Sequence, residues 1–254
     1  MTKQLVDGAG SSGYAEWART PLASLFLLLP LLAFHELSLL FGDGIGGGET
    51  VEAYRMIERV VAALGVVGAA LPALITLAIL IGWHALRRDP LRLRPGYLGM
   101  MFVESLIWVV PLFILQGVLG QALLAAAETG LDSVGLLGRI NIAIGAGLYE
   151  ELVFRLLLVG FLRWALIELF AVKAMTASLV SVGLSAVLFG LYHDPFGMVS
   201  GSGHSPGVSQ GVGLLVLYVV GGLYFGGLFL SRGLGIAAAA HAWYDIWVIA
   251  TTYS

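Results

Sequence analysis

Three short patterns in the second half of the chain bring together side chains able to activate water. Glu150 and Glu151 precede Arg155 in GLYEELVFRLLL, Phe189 precedes His193 in LFGLYHDP, and His241 precedes Asp245 in AAHAWYDIW. A carboxylate or a neutral imidazole can take a proton from water, and an imidazole or a protonated carboxyl can give one to a developing oxyanion. The same two histidines and two carboxylates, Glu150, His193, His241 and Asp245, are suitable ligands for Zn2+, which lowers the pKa of its bound water to about 7. The sequence leaves both routes open: Glu150 as a general base without a metal, or a metal-held water. The chain has no cysteine, which excludes disulfides, thiolate nucleophiles and thiolate metal ligands.

Spacing sorts the roles, because residues four apart on a helix share a face. Glu151 and Arg155 can therefore pair, and they read as a structural ion pair. Glu150 is turned about 100° from its neighbour and has no partner on its own helix, so it is either protonated or held by another helix. His241 and Asp245 stand one turn apart. Phe189 can pack beneath His193 and set the orientation of the imidazole. A single His in a membrane helix is often only an interhelical hydrogen-bonding group. Two His and two carboxylates on three separate segments form a set that packing alone seldom demands.

The remaining polar residues have plainer readings. His35 and Glu36 are adjacent, point about 100° apart and suit local helix or interface roles. His84 follows Trp83 beside Arg87 and Arg88, where interfacial anchoring accounts for it. His204, in a loop of Gly, Ser and Pro, reads as solvated. Glu104 and Gln116 either line a cavity or satisfy nearby backbone. Gly222 with Gly226, and Ser178, Ser181 and Ser185, place small residues at helix-face spacing and favour close helix approach. Gly145 and Gly147, just before the glutamates, are read as packing positions too.

These groups must be carried by membrane helices. Hydrophobic residues make up 59% of the 254 positions and charged residues 11%, with a mean hydropathy of +0.93, well outside the range of a soluble domain. A bilayer core about 30 Å thick takes roughly 20 helical residues to cross. About seven apolar runs approach that length, at 22–41, 60–86, 98–127, 136–164, 175–193, 211–230 and 234–251. The third and fourth are long enough to be tilted, or kinked at Pro111, and 165–172 has room for a short surface or re-entrant helix. The expected fold is all-α, a polytopic bundle of about seven to eight helices. An ionisable group near the bilayer centre costs about 2.5–3.5 kcal/mol on insertion scales, so each one in these runs needs a partner or a task.

The loop with Arg87, Arg88, Arg92 and Arg94 should be cytoplasmic. Counting outward from it, Lys3, Arg19, Arg163, Lys173 and Arg232 fall on the same side, which puts the N-terminus in the cytoplasm; Arg55, Arg59 and Arg139 run against the rule. Residues 1–20 are polar, lack the features of a signal peptide and read as a mobile tail before a single transmembrane domain at 21–254. The formal net charge of −3 is uninformative about partners; the expected partners are the bilayer and a membrane protein or peptide substrate, with no nucleic acid.

Intramembrane proteolysis has several known solutions. A zincin needs H-E-x-x-H, whereas His35 and Glu36 are followed by Leu37, Ser38 and Leu39. A presenilin-type protease needs G-x-G-D, and Leu40, Phe41, Gly42, Asp43 lacks the first glycine. A rhomboid needs G-x-S-G in a membrane helix, and the match at Gly10 to Gly13 falls in the polar tail. A fourth solution fits. E-E-x-x-x-R, F-x-x-x-H and H-x-x-x-D occur in that order on three of the apolar runs, and the region 136–251 resembles the CPBP family, which includes the type II CAAX prenyl endopeptidases and the bacterial Abi-type proteins.

The resemblance implies a helical intramembrane endopeptidase in which Glu150 and His193 activate the attacking water. His241 and Asp245 would then assist with the oxyanion or with a metal, Zn2+ being the candidate. Asp245 lies within the family's Asn-or-Asp pattern, but an ionised carboxylate repels an oxyanion, so it suits a metal ligand or a protonated donor. The expected substrate is a membrane-associated protein or peptide, prenylated or not, and the expected location is a bacterial or archaeal cell membrane. The competing reading is a non-catalytic transporter or binding protein using the same polar cluster. A transporter would usually show paired broken helices in two related halves, and here the constellation is confined to one half.

Overall fold

Proline and glycine set most of the boundaries between the helices. The computed structural model describes residues 12–41, 50–68, 70–119, 134–196 and 208–252, and among these there is no strand. The helices are α1 (Ser12–Ala18), α2 (Pro21–Leu40), α3 (Glu52–Ala63), α4 (Leu71–Arg87), α5 (Pro95–Ile107) and α6 (Val110–Leu119). They continue with α7 (Leu136–Gly145), α8 (Gly160–Glu168), α9 (Ala174–Tyr192), α10 (Val208–Arg232) and α11 (Leu234–Thr252). Helices α7 and α8 are joined by wide π-helical turns at Ala146–Glu150 and Leu152–Val159.

Pro21 and Pro95 stand in the first turns of α2 and α5, where a missing N–H costs nothing. Thr20 caps α2, its hydroxyl accepting from the Ala23 N–H at 3.2 Å. Four segments are long and apolar enough to cross a bilayer: Pro21–Leu40, Pro95–Leu115, Ala174–Tyr192 and Gln210–Arg232. Large apolar side chains point outward from them, among them Val103, Leu179 and Val216. Such a surface is stable against lipid, and the chain is an integral membrane protein.

Several expected boundaries are corrected. The run at 60–86 is divided, because α3 stops at Leu64 and Gly65, which has φ +81°, and α4 restarts at Leu71 with Pro72 in its first turn. Helix α3 buries only Ala53, Tyr54 and Ile57 on one face. The helix expected at 165–172 is instead the end of α8 and the turn into α9, with Ala171 in the left-handed region. The third run bends between α5 and α6, just before Pro111, as expected, while 120–127 lies outside the described residues. His204 also lies outside them, as do residues 1–11.

The second half of the supposed mobile tail is folded. Tyr14, Trp17 and Ala18 form an i, i+3, i+4 stripe that is buried, the helix packing against α5 and α2. The Trp17 indole donates to the Arg92 carbonyl at 3.1 Å, and the Tyr14 hydroxyl donates to Glu104 at 2.5 Å. Composition concealed this because three apolar side chains on two turns do not outweigh the glycines and serines around them.

Helix α11 is central. Ile236, Ala237, Ala238, Ala240 and Ala242 are fully buried, and their small side chains let α2, α5, α7 and the π-helical turns come close. A Cβ on Gly147 would stand 2.6 Å from the Ala242 backbone nitrogen and 2.7 Å from the Ala238 carbonyl. Neither backbone can yield. Gly147→Val is therefore expected to cost at least the about 1–3 kcal/mol of an overpacked core, read as a lower unfolding temperature in detergent. Gly183→Ala, with nothing near its Cβ, should leave that temperature unchanged.

Candidate active site

The three sequence patterns meet in one pocket of about 280 Å³, with Glu150, His193, His241 and Asp245 all on its wall. Glu150 and His241 are each 5% exposed. The glutamate comes from the π-helical turns, His193 from the end of α9, and the His241–Asp245 pair from the middle of α11. The rest of the wall is mostly apolar, including Leu112, Leu115, Val248 and Ile249. This is a small polar centre in a dry surround, the setting in which electrostatic effects are least damped.

The His193 ring is oriented from two sides. Its Nδ1 donates to the Phe189 carbonyl at 2.8 Å, and since a carbonyl can only accept, the neutral ring carries its lone pair on Nε2. That nitrogen stands 3.8 Å from Glu150 Oε2. The separation is too long for a direct hydrogen bond, yet a single water placed about 2.8 Å from each atom would touch both. Phe189 packs edge-on to the ring at 4.5 Å between centroids, as the spacing predicts, and Tyr218 of α10 stacks on it at 4.1 Å.

His241 is held between two carboxylates. Its Nδ1 lies 2.8 Å from Glu151 Oε1, and its Nε2 lies 3.4 Å from Asp245 Oδ2. Phe225 stacks on its face at 4.4 Å. Glu151 also pairs with Arg155 at 3.0 Å, both side chains being almost wholly buried. The guanidinium lies over Phe189, 4.3 Å from the ring centroid, and Arg155 Nη2 reaches the Gly222 carbonyl at 3.5 Å. The ion pair read from the i, i+4 spacing is therefore present, and the Glu151 carboxylate has a second partner that the spacing did not reveal.

Tyr218 and Phe225 were missed by the sequence reading. They stand seven apart on α10, two turns along one face, so the helix that supplies Gly222 and Gly226 also supplies a ring to each histidine. The two glycines pack as expected against Ala186 and Val182 of α9.

Of the other polar candidates, Glu104 is held by Arg232 through two bonds of 2.5 and 2.6 Å, away from the pocket. His35 and Glu36 are more buried than an interfacial reading suggests: His35 Nδ1 meets the Asn141 carbonyl at 3.1 Å, and Glu36 accepts from the Tyr149 hydroxyl at 2.6 Å. That bond ties α2 to the residue preceding Glu150. The Gln116 side chain lies outside the described residues.

The donor types suit a divalent ion, but among the described residues no three of the His, Asp and Glu side chains are gathered closely enough to hold one. Both Nδ1 atoms are already engaged.

The pocket thus sets a buried carboxylate beside an imidazole lone pair, with a second His–carboxylate pair on the same wall, inside a helical membrane bundle. Residues 132–247 match the Rce1-like family of type II CAAX prenyl endopeptidases, and this stretch carries Glu150, His193, His241 and Asp245. No curated protein and no solved structure is significantly similar to the chain. The match supports a CAAX-type intramembrane protease in general.

Proposed function

We propose that the protein is an endopeptidase in which Glu150 and His193 activate the attacking water, and His241 with Asp245 stabilises the oxyanion. The observation that carries this reading is the 3.8 Å separation of Glu150 Oε2 and His193 Nε2 on the wall of one pocket. Water held by both atoms gives a proton to one of them as its oxygen attacks the scissile carbonyl. The proton then passes to the leaving amine, as general acid–base catalysis requires. A proton shared by His241 Nε2 and Asp245 provides the donor that a bare carboxylate could not. The apolar walls suit an extended membrane-associated protein or peptide, prenylated or not.

A Zn2+-assisted version would use the same four side chains, drawn closer together than they stand here. Removing divalent ions with a chelator separates the versions. Glutamate-dependent cleavage persists, whereas Zn2+-dependent cleavage is lost and returns with added Zn2+.

The test of function is mass-spectrometric mapping of new protein termini in host membranes expressing wild type or Glu150→Ala at matched levels. Termini confined to the wild type are expected and would name the substrate. Identical terminal sets across several growth conditions would overturn the protease reading in favour of a transporter or binding protein.

A further inference from the structure

At the opposite end of α9 and α11 from the catalytic pocket lies a groove of about 760 Å³. Its rim carries Arg19 in the turn between α1 and α2, Arg87 at the end of α4 and Arg163 in α8, and its wall is formed by Leu156, Leu157 and Phe229. Three cations from three separate elements thus converge on one apolar channel. Arg87 is neutralised by Asp89 at 2.7 Å. Arg163 instead donates through Nε to the Ser178 hydroxyl at 3.0 Å, and Arg19 through Nε to the Ala15 carbonyl at 3.1 Å. Among the described residues neither has a carboxylate partner. In both cases the Nε bond fixes the guanidinium and leaves its terminal nitrogens available.

We propose that this groove is a binding site for an anionic phospholipid, with its phosphate held by Arg19 and Arg163 and its acyl chains laid along Leu156, Leu157 and Phe229. Paired arginine forks match phosphate oxygens. Basic pockets between membrane helices on the cytoplasmic side are suited to anionic head groups, and the arginine-rich end is the one expected to face the cytoplasm. Trp83, also on the groove, is a residue type that settles at headgroup depth. The apolar wall selects a lipid over free phosphate, because a small anion would leave it uncovered. The bound lipid bridges the α1–α2 turn and α8, far from Glu150, so the site stands independently of the proposed chemistry.

The experiment is native mass spectrometry of the delipidated full chain in detergent, titrated with phosphatidylglycerol, with phosphatidylcholine of the same acyl chains, and with inorganic phosphate. Wild type should prefer phosphatidylglycerol by about 30-fold, the contribution of two arginines near the surface. The double variant Arg19→Ala/Arg163→Ala should lose that preference. The single variants Arg19→Gln and Arg163→Gln, which remove the charge but keep a polar side chain, should each lose about fivefold and serve as the test if the double variant does not fold. Equal affinity for the two lipids, or a preference that survives in the variants, would overturn the proposal. Displacement of phosphatidylglycerol by inorganic phosphate would also overturn it, by showing a small-anion site.

Discussion

Glu150→Gln will lower the cleavage rate by about 10²- to 10⁴-fold, the range contributed by a general base, while the bundle remains folded. Glutamine keeps the volume of the side chain and removes only its ability to take a proton. The structure gives little reason for instability, since Glu150 Oε2 is buried with no hydrogen-bond partner and lies 3.8 Å from His193. Glutamine also keeps a carbonyl oxygen able to accept from the Tyr192 hydroxyl, which bonds the Glu150 carboxylate. His193→Ala and His241→Ala should also abolish cleavage with monodisperse protein retained. Cleavage of a defined substrate, assayed beside size-exclusion profiles in detergent, checks all three. Full activity in Glu150→Gln would remove the glutamate from the mechanism, whatever the histidines do.

The helical class and the grouping of the site were legible because both rest on local signals. Apolar length gives the membrane helix, and i, i+4 spacing gives the Glu151–Arg155 pair and the Phe189–His193 stack. What stayed hidden depends on how helices meet. Nothing near Glu151 in sequence indicates that His241, ninety residues later, will reach the same carboxylate oxygen at 2.8 Å. The aromatic faces of Tyr218 and Phe225 were likewise invisible, because an aromatic on a membrane helix is equally at home against lipid. The ends of helices were also hard to place. Gly65 and Pro72 divide one long apolar run into two helices, and a length count passes over such breaks.

Arg155→Ala has the opposite signature to Glu150→Gln: it is expected to deplete folded protein before it affects chemistry. The guanidinium is 1% exposed and 3.0 Å from Glu151, itself fully buried. Breaking a buried pair from one side costs about 3–5 kcal/mol, because the remaining charge has neither water nor a counter-ion. Here His241 would be the one remaining partner of Glu151 among the described residues, and the cation over the Phe189 ring would be lost as well. Removing both charges should be milder, since replacing a buried ion pair with neutral groups of similar volume is often close to neutral. Glu151→Gln/Arg155→Met is therefore expected to recover most of the monodisperse yield and unfolding temperature lost in Arg155→Ala. Its cleavage should stay low, because His241 no longer has a carboxylate at Nδ1 to fix its tautomer. The two readouts separate the roles that meet at one oxygen: stability follows the neutralisation of Glu151, and activity follows its bond to His241. An Arg155→Ala protein as stable as wild type would mean that the pair is not what holds this part of the bundle together.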